Sequence, residues 1–167
     1  TQGYSSAASD VYKRQIQMID YLRLENQVCF PIYALSRQIT ALYRPYLDKL
    51  GLTYPQYLVM MVLWEHKSKT VKELGEILLL DSGTLTPLLK RMETSGFIER
   101  KRSDNDERIV NINITEKGLK LKESAEYIPA KIKEKLQAND EQLQKLKKQL
   151  KKMIDSATQC KHDTSEE

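Results

Sequence analysis

Few side chains in this sequence could do chemistry. Two cysteines, Cys29 and Cys160, and two histidines, His66 and His162, make up the soft-ligand inventory, and no CxxC or HxxxH spacing occurs. A structural zinc site is therefore not expected, and neither a metal nor a cofactor is implied. In a reducing cytoplasm a thiol stays reduced, so Cys29 is either an inert packing residue or a reactive one. Taken alone it is better explained as packing, because free cysteine is among the most buried residue types. A second set lies in Leu80–Glu93. Small hydroxyls (Ser82, Thr84, Thr86) lead the stretch and Lys90 and Arg91 follow. Leu85, Leu88, Leu89 and Met92 fall on the opposite, apolar stripe. Such a division suits a helix laid in a DNA major groove: short hydroxyls and helix N-terminal N–H groups approach phosphates and base edges, and long cations reach the flanking backbone. Without neighbours, the same stretch reads as an ordinary amphipathic surface helix, so the elements around it must decide.

Composition narrows the choice. With 167 residues, 40% hydrophobic and 30% charged, the chain is helix-rich and long enough for one domain with a proper core, or for one small domain plus oligomerisation arms. A net charge of +4 is too mild to argue for nucleic acid by itself. Between Asp81 and Arg108 six cations face six anions. Any DNA contact must therefore come from placed charges and not from a bulk field. No apolar run reaches the ~18 residues of a membrane helix and no secretory pattern is visible, so a cytoplasmic protein is expected.

The periodicity predicts the positioning elements. Thr1–Asp10 lacks pattern, and Asp10–Gln15 resembles a translated sequencing adapter; residues 1–17 are read as a disordered or non-native leader, with Met18 as the native start. Helical spacing runs from Leu24 to Tyr43 with Pro31 near its beginning, and Pro45 is expected to break it near Arg44. Thr53-Tyr54-Pro55-Gln56 has capping-box spacing and opens a nearly all-apolar, central helix over Gln56–Glu65. Thr70 caps a short helix, Val71–Leu78, with Val71, Leu74 and Ile77/Leu78 inward, and Leu79–Ser82 is the turn into Leu80–Glu93. Phe97–Arg102 and Ile109–Ile114 read as two strands joined by the polar turn Ser103–Arg108, a hairpin that must lean on the helices. Thr115 caps a helix that Pro129 should kink, and Asn139 starts a last helix with a heptad-like seam at Leu143, Leu146, Leu150 and Met153. The fold class expected is mostly α with a small β-hairpin wing: a winged helix-turn-helix whose N- and C-terminal helices form a dimerisation domain. Boundaries are placed at 18–50 for the N-terminal dimerisation and sensor helix, 51–115 for the DNA-binding domain, 116–158 for the C-terminal dimerisation helices and 159–167 for a flexible tail.

At Leu24–Phe30, Leu52–Tyr57, Asp81–Arg91 and Asp106-Glu107-Arg108 the sequence resembles the MarR family of winged-helix repressors. More narrowly it resembles the organic-hydroperoxide-sensing branch, OhrR; the Cys29 context carries that narrower likeness. The resemblance implies a homodimer on a pseudo-palindromic, double-stranded operator, and no enzymatic activity. It assigns Ser82, Thr84, Thr86, Pro87, Lys90 and Arg91 to the recognition helix, Arg108 to the wing tip in the minor groove, and Asp106 to orienting it. A narrow minor groove concentrates negative potential, which favours an inserted guanidinium. It also makes Cys29 a peroxide sensor, with Tyr43 and Tyr54 as hydrogen-bonding phenols and Tyr33 one turn from the thiol.

Sensing requires a thiolate, which the leading end of a helix favours. On one helix, Cys29 and Tyr43 would stand ~21 Å apart at ~1.5 Å per residue, so a contact between them must join two subunits. The implied effector is an organic hydroperoxide, with a small thiol as partner in a mixed disulfide. The segment Glu116–Thr158 contains no cysteine, so Cys160 is read as incidental, with a Cys29–Cys160 disulfide between chains left open. Three other readings stand beside this one. The first is a MarR-type regulator gated by a small aromatic ligand or another oxidant, with Cys29 as packing. The others are a thiol peroxidase and a winged-helix protein-interaction module.

Overall fold

The computed structural model describes residues 22–103 and 106–163, with side chains as far as Gln159. The expected leader and Met18 lie outside the described residues. After a 3-10 turn at Leu24–Asn26 the chain forms α1 (Cys29–Leu47), a second 3-10 turn (Asp48–Leu50), α2 (Tyr54–His66), β1 (Ser68–Thr70), α3 (Val71–Leu78) and α4 (Ser82–Thr94). Then come β2 (Ile98–Arg102), β3 (Val110–Ile114), α5 (Glu116–Ala125), α6 (Ile128–Leu136) and α7 (Asp140–Asp163).

The chain divides into two compact units after Ser124. In the first, α2 is the centre. Tyr57, Val59, Met60 and Leu63 are buried on it, together with Leu74 of α3, Leu85, Leu88, Leu89 and Met92 of α4, Phe97 just ahead of β2, and Ile98 and Ile112 of the sheet. Burial of that many large apolar side chains, each worth about 1.5–3 kcal/mol, holds the helix-turn-helix and wing as one body. The turn between α3 and α4 is tight because Gly75 has no side chain. A Cβ there would stand 2.9 Å from the Leu80 carbonyl, while Leu80 N–H donates to the Gly75 carbonyl. The second unit contains α6 and α7, with Ile128 and Ile132 buried. Asn139 caps α7, its side chain accepting from Gln142 N–H at 2.8 Å.

Several local expectations are corrected. Pro45 lies inside α1, which continues to Leu47; a proline near a helix end forfeits one hydrogen bond and need not stop the chain. Pro129 does not kink a continuous helix. It sits in the first turn of the separate α6, where its missing N–H costs nothing. Ile77 is 49% exposed and faces outward, leaving Leu74 as the buried residue of α3. The last helix continues to Asp163, beyond the expected boundary at 158, so the backbone at Cys160 is helical. The wing is a three-stranded antiparallel sheet of order β1-β3-β2, with Lys69 opposite Ile112 and Arg100 opposite Ile112 on the other edge. The added strand satisfies backbone groups of β3 that a two-stranded hairpin would leave open.

The start of α3 makes a pH-dependent contribution. Glu73 accepts from Lys69 Nζ at 2.8 Å, from Thr70 N–H at 2.7 Å and from the Thr70 hydroxyl, while Thr70 Oγ1 accepts from Glu73 N–H. The Lys69 ammonium, then the Thr70 N–H and hydroxyl, pull the Glu73 carboxyl from 4.5 to about 2. Because the folded value is depressed, this cap stabilises fully above the ordinary glutamate range and is lost as pH falls from about 4.5 towards about 2. Thermal melts across that acid window should fall less steeply in Glu73→Gln than in the wild type. Parallel curves would show that the cap does not contribute.

Candidate DNA-reading face and thiol centre

Asp81 starts α4. Its Oδ1 accepts from Thr84 N–H at 2.8 Å and its Oδ2 accepts from the Thr84 hydroxyl at 2.8 Å. Those two bonds, hydroxyl first, hold the Asp81 carboxyl below the usual range. Sequence reasoning placed Ser82 in the turn and overlooked Asp81 as the cap; the Asp-x-x-Thr spacing ahead of an apolar stripe was the available signal. Thr84 is thus engaged in its own helix start, whereas Ser82, Pro87, Lys90 and Arg91 are exposed and Thr86 is half-buried. Pro87 sits inside α4. Its side opposite the buried stripe is therefore a run of small, short-reach groups ending in two cations.

The wing loop contains the second cationic feature. Arg108 makes a two-pronged contact with Asp106: Nε donates to Oδ1 and Nη2 to Oδ2, each at 3.0 Å. Arg108 N–H donates to the same Oδ1 at 3.0 Å. The Arg108 side chain is 91% exposed even so. The guanidinium, then the backbone N–H, lower the Asp106 carboxyl, and the carboxylate raises Arg108. Both residues lie in a turn closed by Ile109 N–H on the Asp106 carbonyl and not on one side of a strand, so turn geometry makes the pairing. The result is a guanidinium held by two hydrogen bonds to one carboxylate and still open to solvent.

Cys29 is the first residue of α1 and is exposed. Tyr33 follows one turn later, its hydroxyl accepting from Arg37 Nη1 at 3.3 Å. Tyr43 lies fourteen residues beyond Cys29 on the same helix, so ~21 Å separates them along the axis. There Tyr43 meets Tyr54 with ring centroids 4.9 Å apart, and a third phenol, Tyr57, stands 5.7 Å from Tyr43 and 6.4 Å from Tyr54. Burial, followed by the neighbouring phenols, pushes Tyr43 up to about 12, and burial likewise raises Tyr54 and Tyr57. All three stay protonated donors near neutral pH. The fold thus gathers Tyr43 and Tyr54 and leaves Cys29 and Tyr33 at the far end of α1. Tyr57 was missed because it sits in an unbroken apolar run, where a phenol is indistinguishable from a packing aromatic. Beside Tyr54 a cavity of about 470 Å³ is lined by Arg37, Thr40, Arg44, Leu52 and Pro55, among others. Among the described residues no group of three or more His, Cys, Asp or Glu could hold a metal ion, and no helix is long and apolar enough to cross a membrane.

Comparison with known proteins agrees with this architecture. The family described as Transcriptional regulator SarA/Rot matches residues 41–125. The organic hydroperoxide resistance transcriptional regulator of Bacillus subtilis is 53% identical over 140 residues, covering 84% of this chain and 95% of that protein. Among solved structures, reduced AbfR bound to DNA superposes with a TM-score of 0.71 at 36% identity, over 87% of this chain and 99% of AbfR. A mutant MarR from E. coli complexed with operator DNA gives 0.67 at 25% identity, over 74% and 90%. These relatives are regulators and not enzymes, which removes the thiol-peroxidase reading. With the winged helix-turn-helix fold and these relatives in place, the chain belongs to the MarR family of winged-helix transcriptional regulators, in its organic-hydroperoxide-resistance branch.

Proposed function

We propose that this protein is a cytoplasmic, homodimeric repressor that binds a pseudo-palindromic DNA operator and releases it when an organic hydroperoxide oxidises Cys29. One observation carries the redox half. The thiol stands exposed at one end of α1, while the protonated phenols Tyr43 and Tyr54 stand ~21 Å away at the other. Two copies with α1 helices antiparallel bring each thiol to the other copy's phenols. Exposed apolar side chains at Val28, just ahead of α1, and at Ile32 and Leu35 on it supply a face for that pairing, and α7 carries an apolar face of its own at Leu146, Met153 and Ile154. The name of the Bacillus subtilis relative supports the effector class.

In the proposed chemistry the Cys29 thiolate attacks the terminal peroxide oxygen. The S–O bond forms, the O–O bond breaks and the departing alkoxide takes a proton to leave as the alcohol. Sulfur is oxidised by two electrons and the peroxide reduced by two. A small thiol then displaces water from the sulfenic acid, giving a mixed disulfide. The larger, repolarised side chain displaces the phenols and changes the spacing of the two recognition helices.

In the DNA half, each protomer lays α4 in a major groove through Ser82, Thr84, Thr86, Pro87, Lys90 and Arg91. Arg108, oriented by Asp106, enters the adjacent minor groove. Replacing Arg108 with alanine should weaken binding to a palindromic duplex roughly tenfold to a hundredfold and make it less salt-dependent. Fluorescence anisotropy at two salt concentrations measures both effects, and unchanged affinity would remove the wing from the DNA contact. A second reading has its own observation: the cavity beside Tyr54, with Arg37 and Arg44 in its lining, would accept a small aromatic acid as effector.

A further inference from the structure

We infer that Glu93 is a positioning residue for DNA recognition, fixing the wing at a set angle to the recognition helix by gripping Arg100; this rests on the DNA-binding reading above. Glu93 occupies the last turn of α4, two residues beyond Arg91, and Arg100 occupies the middle of β2. Glu93 Oε1 accepts from Arg100 N–H at 3.1 Å, and Oε2 faces Arg100 Nη1 at 3.6 Å. One carboxylate therefore holds both the backbone and the side chain of the same strand residue. Arg100 points to the inner side of the wing with its side chain 23% exposed, and its Nε is buried without a hydrogen-bond partner. Losing Glu93 would leave that cation half-buried with nothing opposite it, an unfavourable state that the strand can relieve only by moving.

The placement makes the grip matter for reading DNA. Lys90 and Arg91 lie three and two residues ahead of Glu93, separated from it by the buried Met92, and Arg102 ends the strand that leads to Arg108. Major-groove and minor-groove contacts sit on separate elements, and their spacing must match that of adjacent grooves. The sheet defines the wing internally, through pairs such as Arg102 opposite Val110, and the Glu93 carboxylate bonds the middle of β2 to α4. An acid on a DNA-facing helix would otherwise oppose binding by repulsion; spent on Arg100, its charge is largely compensated.

The test separates position from charge. Glu93→Asp keeps the charge and withdraws the carboxylate by one methylene. Glu93→Gln keeps an oxygen able to accept from Arg100 N–H and removes the charge. Each is combined with Arg108→Ala in a double-mutant cycle on an operator duplex and on a random duplex, with thermal melts as the folding control. The expected result is roughly fivefold weaker operator binding by Glu93→Asp with unchanged random-duplex binding, and a smaller Arg108→Ala penalty in its background. Glu93→Gln should bind the operator more tightly than Glu93→Asp. Additive penalties, or equal losses on both duplexes, would overturn the inference. A wild type that ignores the operator, or an Arg108→Ala penalty of nil in the parent, would instead overturn the DNA-binding reading beneath it.

Discussion

Cys29→Ser is expected to bind operator as tightly as the wild type and to stay bound when organic hydroperoxide is added. The oxygen of serine cannot be oxidised by a peroxide, yet it is a near-isostere of the reduced side chain, tolerated at the exposed start of α1. Wild-type protein treated with cumene hydroperoxide should lose roughly a hundredfold in operator affinity, the upper part of the usual range for coupling between two sites. Cys29→Ser should change less than twofold. Anisotropy titrations give the affinities, and intact mass spectrometry identifies the oxidised sulfur. If Cys29→Ser still releases DNA, or if the wild type releases it with Cys29 unmodified, redox sensing at this thiol is wrong and the cavity beside Tyr54 becomes the effector site. Cys160→Ser run in parallel isolates any disulfide between the two cysteines. A wild-type response in that variant leaves Cys29 as the sole sensor.

Gly118→Ala should destabilise the first unit by about 3 kcal/mol or more and lower its melting temperature by roughly 10 °C. Gly118 lies in the first turn of α5, where α2, β3 and the turn at Phe97 meet. A Cβ there would overlap the Phe97 carbonyl and stand 3.0 Å from Ile114 Cγ1 and 3.1 Å from Met60 Cε. The Phe97 oxygen cannot yield, because it accepts from Thr115 N–H at 3.1 Å and from the Thr115 hydroxyl at 3.0 Å. On the other side, the Gly118 carbonyl accepts from Trp64 Nε1–H at 2.9 Å, tying α5 to the central helix. Alanine would have to push α5 off the wing or break that bond. A helix preference for alanine, worth about 1 kcal/mol, opposes the loss without offsetting it. Calorimetry checks the shift, and the fluorescence of Trp64, the only tryptophan in the chain, reports whether the tie has opened. Wild-type melting would show that the junction is softer than its geometry indicates.

How much was legible follows from how local each signal is. The stripe Leu85, Leu88, Leu89, Met92 specifies a helix by spacing alone, and all four residues are buried as that spacing requires. The apolar run of α2 announces a central helix in the same way, and the alternation over Ile109–Ile114 announces the strand of the wing. These are properties of neighbours in sequence, and so were the hydroxyls of α4 and the Asp106–Arg108 pair. The β1 strand carried no such mark. Ser68-Lys69-Thr70 has neither alternation nor apolar content and is extended because the open edge of β3 is there to pair with. Gly118 could be suspected only as a glycine in a first turn where alanine would serve the helix better. Its reason, the Phe97 carbonyl against it, is a contact between residues far apart in sequence.

By itself, then, the sequence determined most element types and the buried stripe of α4, and it singled out Cys29, the α4 hydroxyls and Arg108 as candidates, since each depends on periodicity or on a residue's own chemistry. Tertiary structure alone decided which groups act together. It assembled Tyr57 with Tyr43 and Tyr54, gave Glu93 to Arg100 and closed Gly118 against Phe97. Those pairings depend on how helices and strands are packed in space, and packing brings together residues whose separation along the chain leaves no local pattern.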